Sequence, residues 1–298
     1  MRYGRITTTI SLATFILAVL ALGIRGLNFG HDFTGGMQME VTYAQPANID
    51  AIRGILEGQH LSEASVQNFG SARDVLISLQ LKPEASGSKL SEQLFATLKG
   101  QDASAELRRV EFVGPQVGKD LFENGALALL LVIAGIMAFL AARFEWRFAL
   151  AAIIANMHDI VIILGMFAFF QWEFNLSVLA GVLAILGYSV NESVVVFDRV
   201  RENFRKMRKA SVSEVIDNAI TTTMSRTIIT HSMTQLMVLA MFFFGGEALH
   251  NFALALTIGI VFGIYSSVLV ASPIVMWLGV SRQDLMPVVK EGAADDRP

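Results

Sequence analysis

The chain has 298 residues, 53% hydrophobic and only 16% charged, with a formal net charge of −3. A soluble domain carries about 25% charged residues, so a mean hydropathy of +0.53 over this length points to several membrane spans joined to a more polar segment, and away from an ordinary soluble enzyme. The charge balance offers no global basic field for nucleic acid. The absence of cysteine excludes disulfides, thiolate zinc sites, iron–sulfur clusters and cysteine nucleophiles.

The first apolar run, Ile6 to Ile24, follows Arg2 and Arg5. It exceeds the 7–15 residues of a signal-peptide core and no cleavage site follows it, so it reads as an uncleaved membrane span occupying the segment 1–25. The segment 26–121 is the only soluble-looking part of useful size. Met37 to Tyr43 alternates as a strand, and Ile52, Ile55 and Leu56 give Ile49 to Gln59 a helical spacing. Ser65 to Phe69 and Val75 to Leu81 read as strands, Leu90, Leu94 and Leu98 mark a second helix after the Pro83 to Ser88 stretch, and Leu107 to Val113 closes the segment as a strand. The order βαββαβ predicts a ferredoxin-like α+β domain. His31 and Asp32 lack further ligands at zinc spacing, so a turn is the better reading than a metal site. Gly30, Gly35 and Gly36 are expected to supply unusual backbone angles beside it.

Five more runs, Asn124 to Ala142, Phe148 to Phe170, Ser177 to Phe197, Thr227 to Phe244 and Phe252 to Leu278, complete a six-helix transmembrane bundle over 122–278, followed by a tail, 279–298. With six spans, Arg2, Arg5, Arg143, Arg147, the basic stretch Arg199 to Lys209, Arg282 and Lys290 all fall on one side. The opposite short loops, Gln171 to Leu176 and Gly245 to Asn251, carry no Lys or Arg. The positive-inside rule then places both termini in the cytoplasm and the 26–121 domain outside, with Trp146, Trp172 and Trp277 at span ends. Ser211 and Glu214 form a capping-box pattern that is expected to open a separate amphipathic helix along the cytoplasmic surface.

Ionisable residues inside an apolar span cost about 2.5–3.5 kcal/mol each and therefore need a reason. Asp159, with His158 and Asn156, lies in the third span; Glu192, preceded by Asn191, in the fourth; Arg226 opens the fifth, with His231 one turn deeper. The fourth span runs inward and the fifth outward, which puts Glu192 and Arg226 at similar depth. A nearby guanidinium and a low dielectric act on a carboxyl in opposite senses, so Glu192, Arg226 and Asp159 are the candidate proton-coupling residues, supported by Asn191, His158 and His231. Gly181, Gly187, Gly259 and Gly263 are candidate helix-packing positions. No His-Glu-x-x-His motif occurs and no catalytic residue, metal or cofactor is expected.

Six pieces carry a family resemblance: Asp32-Phe33-Thr34-Gly35-Gly36, Val110-Glu111-Phe112-Val113-Gly114-Pro115, Arg143-Phe144-Glu145-Trp146-Arg147, His158-Asp159, Gly187-Tyr188-Ser189, and Asp198-Arg199-Val200-Arg201-Glu202-Asn203. With these in order along six spans, the chain resembles the SecF-type branch of the SecD/SecF protein-export membrane proteins, relatives of the resistance-nodulation-division transporters. The resemblance implies a ferredoxin-like external domain and a SecD partner. It also implies association with the SecYEG channel in the inner membrane, contact with a translocating polypeptide and with membrane lipid, and use of the proton motive force in late steps of export. It places the family's intramembrane acid at Glu192, where Asp is usual, and its basic partner at Arg226. At position 31, His stands where Leu is more common. A proton-coupled half-transporter for small molecules or lipids is the alternative, weakened by so small an external domain.

Overall fold

The structure is a computed structural model and describes residues 4–59, 61, 64–79 and 87–280; the expectations on Arg2, Arg282, Lys290 and the tail, and on most of the Pro83 to Ser88 stretch, lie outside them. Helix α1 (Gly4–Arg25) leads through strand β1 (Asn28–Phe29) and a single helical turn α2 (His31–Thr34) into the α+β domain. That domain comprises β2 (Gly36–Thr42), α3 (Ile49–Gly58), β3 (Ser65–Phe69), β4 (Ser71–Leu79), α4 (Gly87–Gln101) and β5 (Glu106–Val113). Its sheet has the order β3-β4-β2-β5 with every neighbouring pair antiparallel, which is the ferredoxin-like arrangement. Alternation along the strands sends Met37, Met39, Val41, Val75 and Ile77 to one face, where Leu56 of α3 and Leu94 and Leu98 of α4 close the core. The polar face, carrying Gln38, Glu40, Arg109 and Glu111, turns toward the end of the helix bundle.

The bundle consists of α1, α5 (Pro115–Arg143), α6 (Trp146–Phe170), α7 (Leu176–Lys206), α8 (Val212–Phe244) and α9 (Glu247–Ser266). The last continues through a π-helical turn, Ser267–Ala271, into α10 (Ser272–Trp277). Six helices are long and apolar enough to cross a membrane, and the chain is a multi-pass membrane protein. Burial separates them: 61% of the apolar stretch of α6 is buried but only 6% of that of α5. Thus α6, α7 and the α9–α10 helix form the centre, while α1, α5 and α8 turn apolar side chains such as Leu131, Leu17 and Met233 outward, as helices facing lipid or another helix must.

Three elements extend well beyond the apolar runs, among them α7, which continues past Phe197 to Lys206. Helix α5 starts at Pro115, where proline suits a first helical position, and its first turns carry Lys119, Asp120 and Glu123, which interrupt the apolar signal without interrupting the helix. Ser211 and Glu214 do form a capping box, but the expected separate surface helix is absent. Its residues are the first turns of α8, which runs unbroken; the hydroxyls of Thr221, Thr222 and Thr223 are satisfied by carbonyls four residues earlier, so their polarity interrupts the apolar signal but not the helix.

The α+β domain is fastened to the bundle by short devices. Strand β1 pairs in parallel with β6 (Glu173–Phe174), between α6 and α7, and Phe33 of α2 packs in an aromatic cluster with Phe29, Phe122 and Phe174. Gly35 has φ 72°, a left-handed conformation that suits glycine. Gly30 has φ −70°, so the unusual angle expected there is not present. A Cβ on Gly118 of α5 would stand 2.7 Å from the Gly35 nitrogen and 3.0 Å from the Phe33 carbonyl oxygen. Helix α5 can therefore lie directly against the turn that carries the Gly35–Gly36 pair.

Candidate functional site

Two buried polar constellations occupy the interior of the bundle. In the first, Asp159 on α6 is 1% exposed. Its Oδ2 accepts hydrogen bonds from Ser189 Oγ on α7 at 2.8 Å and Ser266 Oγ on α9 at 2.7 Å. His158 Nδ1 stands 3.3 Å from the other oxygen, and His158 Nε2 is 2.8 Å from Ser11 Oγ on α1. Phe15 stacks on the imidazole. The carboxyl thus ties α6 directly to α7 and α9, and to α1 through His158, and its hydroxyl donors are how a buried acid avoids an uncompensated desolvation cost. Asn156 bonds to its own helix through Ala152 O and does not join this group.

In the second constellation, Glu192 on α7 is 7% exposed. Its carboxylate accepts a hydrogen bond from Thr227 Oγ1 on α8. His231 Nδ1 lies 2.9 Å from Thr227 O, and the Tyr188 ring packs edge-on to the His231 ring at 4.9 Å. Tyr188 also donates to Thr234 Oγ1 at 3.3 Å. Ser193 Oγ and His231 Nε2 are buried without a hydrogen-bond partner. Successive helical residues differ by about 100° around the axis, and that offset decides which side chain of α8 meets Glu192. Thr227 does, while Arg226 points out of the bundle, exposed, into an open groove beside Asp198, Arg199, Glu202 and Thr222.

The structure therefore brings together Glu192 and His231 through Thr227, and His158 with Asp159, but it does not bring Arg226 to Glu192. Among the described residues no ion pair to Glu192 is formed. Asn191 is exposed, about 100° around α7 from Glu192, and does not join the site. Of the packing glycines, Gly181 meets Ala255 and Phe252 of α9 at 3.4 Å and Gly259 abuts Ile185 of α7, whereas no atom lies within 4 Å of a Cβ placed on Gly187 or Gly263. Sequence reasoning missed Ser11, Ser189, Ser266 and Thr227 as partners. Of these only Ser189 and Thr227 carried a local hint, the first three residues from Glu192 on the same helix and the second one residue after Arg226.

This architecture, six apolar helices with buried carboxyls at their centre and a ferredoxin-like domain between the first two, defines a polytopic membrane protein of a recognisable class. Residues 93–281 match the family model described as protein export membrane protein SecD/SecF, C-terminal, and residues 20–47 match the SecD/SecF GG motif. The chain is 45% identical over 299 residues to protein translocase subunit SecF of Vibrio alginolyticus, covering 99% of this chain and 95% of that one. It is also 45% identical over 288 residues to protein translocase subunit SecF of Pseudomonas aeruginosa, with 96% and 94% covered. The crystal structure of SecDF, a translocon-associated membrane protein from Thermus thermophilus, superposes with a TM-score of 0.80 at 34% identity. That superposition covers 93% of this chain and 38% of the SecDF chain, so this chain spans well under half of that protein. The chain belongs to the SecD/SecF family of protein export membrane proteins.

Proposed function

We propose that this accessory subunit of Sec protein export works beside a SecD partner at the SecYEG channel, and that Glu192 and Asp159 take up and release protons as the gradient drives late steps of translocation. The observation that carries the reading is the buried Glu192 carboxylate held by a single threonine hydroxyl at the α7–α8 contact. An ionised carboxylate only accepts hydrogen bonds, whereas a protonated one also donates. A proton on Glu192 therefore changes what α7 can offer α8 at a contact where Ser193 of α7 and His231 of α8 carry unpartnered polar atoms. Arg226, exposed one residue from Thr227, is available to a helix of a partner and need not serve Glu192 within this chain. Asp159, bonded by Ser189 of α7 and Ser266 of α9 and linked to Ser11 of α1 only through His158, is positioned to report a change in one helix to the others.

Sidedness supports the same scheme. The α+β domain sits at the end of the bundle that carries Gln171 and His250, where the short loops have no Lys or Arg. The basic stretch Arg199 to Lys209 lies at the other end of α7. By the positive-inside rule the domain faces out, where it can meet an exported polypeptide, and both termini lie in the cytoplasm of a cell whose inner membrane contains the protein. The basic end meets anionic lipid headgroups. A reporter inserted near Gly87 is then external and one after Lys209 cytoplasmic.

The test is secretion in cells or inverted vesicles with the proton gradient present and then collapsed. Glu192→Gln removes gradient-dependent stimulation while the protein remains in the membrane with its partners, and Glu192→Asp retains most of it. Gradient-dependent export at the native rate by Glu192→Gln would reduce the site to structural packing. A small-molecule half-transporter is not favoured, given SecF-named relatives over nearly the whole chain.

A further inference from the structure

Between the α+β domain and the end of the bundle lies a polar cleft of about 300 Å³, lined by residues of both bodies. His31 projects into it. Its side chain is only 9% exposed, and neither ring nitrogen has a hydrogen-bond partner. Three carboxylates surround it: Asp32 and Glu111 oxygens at 3.4 Å from Nε2 and a Glu173 oxygen at 3.9 Å from Nδ1.

These acids belong to two different bodies. Asp32 and Glu173 are fixed to the bundle, the first through the Leu176 amide at the start of α7 and the second within β6. Glu111 lies on β5 of the α+β domain, paired with Arg109 on its other oxygen. We propose that His31 is a proton-binding site that latches the α+β domain to the bundle, closed when the imidazole is charged and released when it is neutral.

Protonation turns three facing acids from mutually repelling groups into ligands of one cation, and the bond that crosses between bodies is the one to Glu111. Burial opposes a charge on His31, but Glu173, Asp32 and Glu111 outweigh it and lift its pKa above the ordinary histidine value. The latch is thus closed at low pH and is lost as pH rises through that raised value.

Other charges near the site do not supply the same switch. Glu40 of β2 and Arg109 of β5 also line the cleft, and His250 of α9 lines the adjoining pocket that His31 shares. On α5, beside α2, Lys119 pairs with Glu123 and Asp120 accepts from Gln116, all exposed to solvent. With the domain outside, as argued above, the latch samples the compartment from which protons enter, so it rests on that sidedness for its role and not for its chemistry.

The experiment uses the full chain in lipid nanodiscs with spin labels at Gln101→Cys and Ala248→Cys, which are its only cysteines because the native chain has none. At about pH 5.5 the distance distribution between domain and bundle is single and narrow, and at about pH 8.5 it broadens to longer distances. His31→Gln shows the broad distribution at both pH values, and Glu111→Gln, which keeps the imidazole, moves the transition to lower pH. A native distribution identical at both pH values overturns the latch, as does a native-like pH response in His31→Gln or an unmoved transition in Glu111→Gln. A pH response that depends on His31 while Glu192→Gln exports normally keeps the latch and removes the coupling role given to Glu192; loss of export in Glu192→Gln with no label response does the reverse.

Discussion

Replacing Asp32 by alanine tests how the turn before the Gly35–Gly36 pair is fastened to the bundle. Helix α7 starts with two amides held by two different side chains: Leu176 N donates to Asp32 Oδ2 at 2.9 Å, from a turn 144 residues earlier, and Val178 N donates to the local cap Asn175 Oδ1 at 3.0 Å. A hydrogen bond to a charged acceptor contributes about 1.5–3 kcal/mol, and an anion at a helix N-terminus is further favoured by about 0.3–1 kcal/mol. Taking the first range alone, Asp32→Ala speeds hydrogen exchange at the Leu176 amide about 10- to 150-fold, at about 1.4 kcal/mol per tenfold. Val178 provides an internal control, because its cap is untouched. Exchange measured on the full chain in detergent or nanodiscs, with overlapping peptides that separate residue 176 from 178, reads the contrast directly. Asp32→Asn, which keeps an oxygen acceptor but not the charge, falls between. Equal protection of Leu176 in Asp32→Ala and native protein would refute the reasoning and leave Asn175 as sufficient for the whole helix start.

Three further outcomes follow from the geometry. Leu94, fully buried between α4 and the sheet, destabilises the α+β domain by about 2–5 kcal/mol when cut to alanine, read as a lower denaturation midpoint of that domain; a change below 1 kcal/mol would place the core elsewhere. Gly118→Val puts a side chain against the backbone of Phe33 and Gly35, so α5 must shift, and the protein's thermal midpoint in detergent drops, whereas Gly135→Val, at a site with no neighbour within 4 Å, leaves it unchanged. Asp74 accepts from Ser71 Oγ at 2.7 Å and from Thr42 Oγ1 at 2.5 Å, and these bonds hold its carboxyl below the usual range. Its contribution is therefore present above the unfolded value and lost as pH falls through the folded one, so Asp74→Asn flattens the acid limb of the domain's stability curve.

The spans were legible because an apolar run of about twenty residues has few alternative explanations, and the βαββαβ order because period-two alternation in Met37 to Tyr43 and Val75 to Leu79 is unambiguous. Helix ends were not, since Lys119 and Thr221 to Thr223 are polar yet helical, and hydropathy reads environment where the backbone reads dihedral angles. Glu192 and Asp159 stood out as acids within greasy sequence. Their partners did not, because a serine or threonine in a membrane helix can always bond its own i−4 carbonyl; Thr223 O, 3.2 Å from Thr227 Oγ1, competes with Glu192 for the one hydroxyl proton. Depth alone suggested Arg226 for Glu192. The one-residue rotation from Arg226 to Thr227 is a matter of how α8 is turned about its axis, which depends on its packing against α7 and α9 and is written nowhere near position 226.

The π-helical turn at Ser267–Ala271 acts as one residue inserted into an otherwise regular helix. Beyond it, every side chain of α10 is rotated by about 100° from where an uninterrupted α9 would put it. Ser266, on the near side, meets Asp159, while Ala271 and Val275, on the far side, pack with Phe148 and Val196 in a separate apolar cluster. Deleting a single residue from this turn would restore a continuous α-helix and swing the far half out of register, so that the chain could keep its Asp159 bond or its inner apolar packing but not both. A length change of one residue there is thus a more severe perturbation than most substitutions in the same stretch.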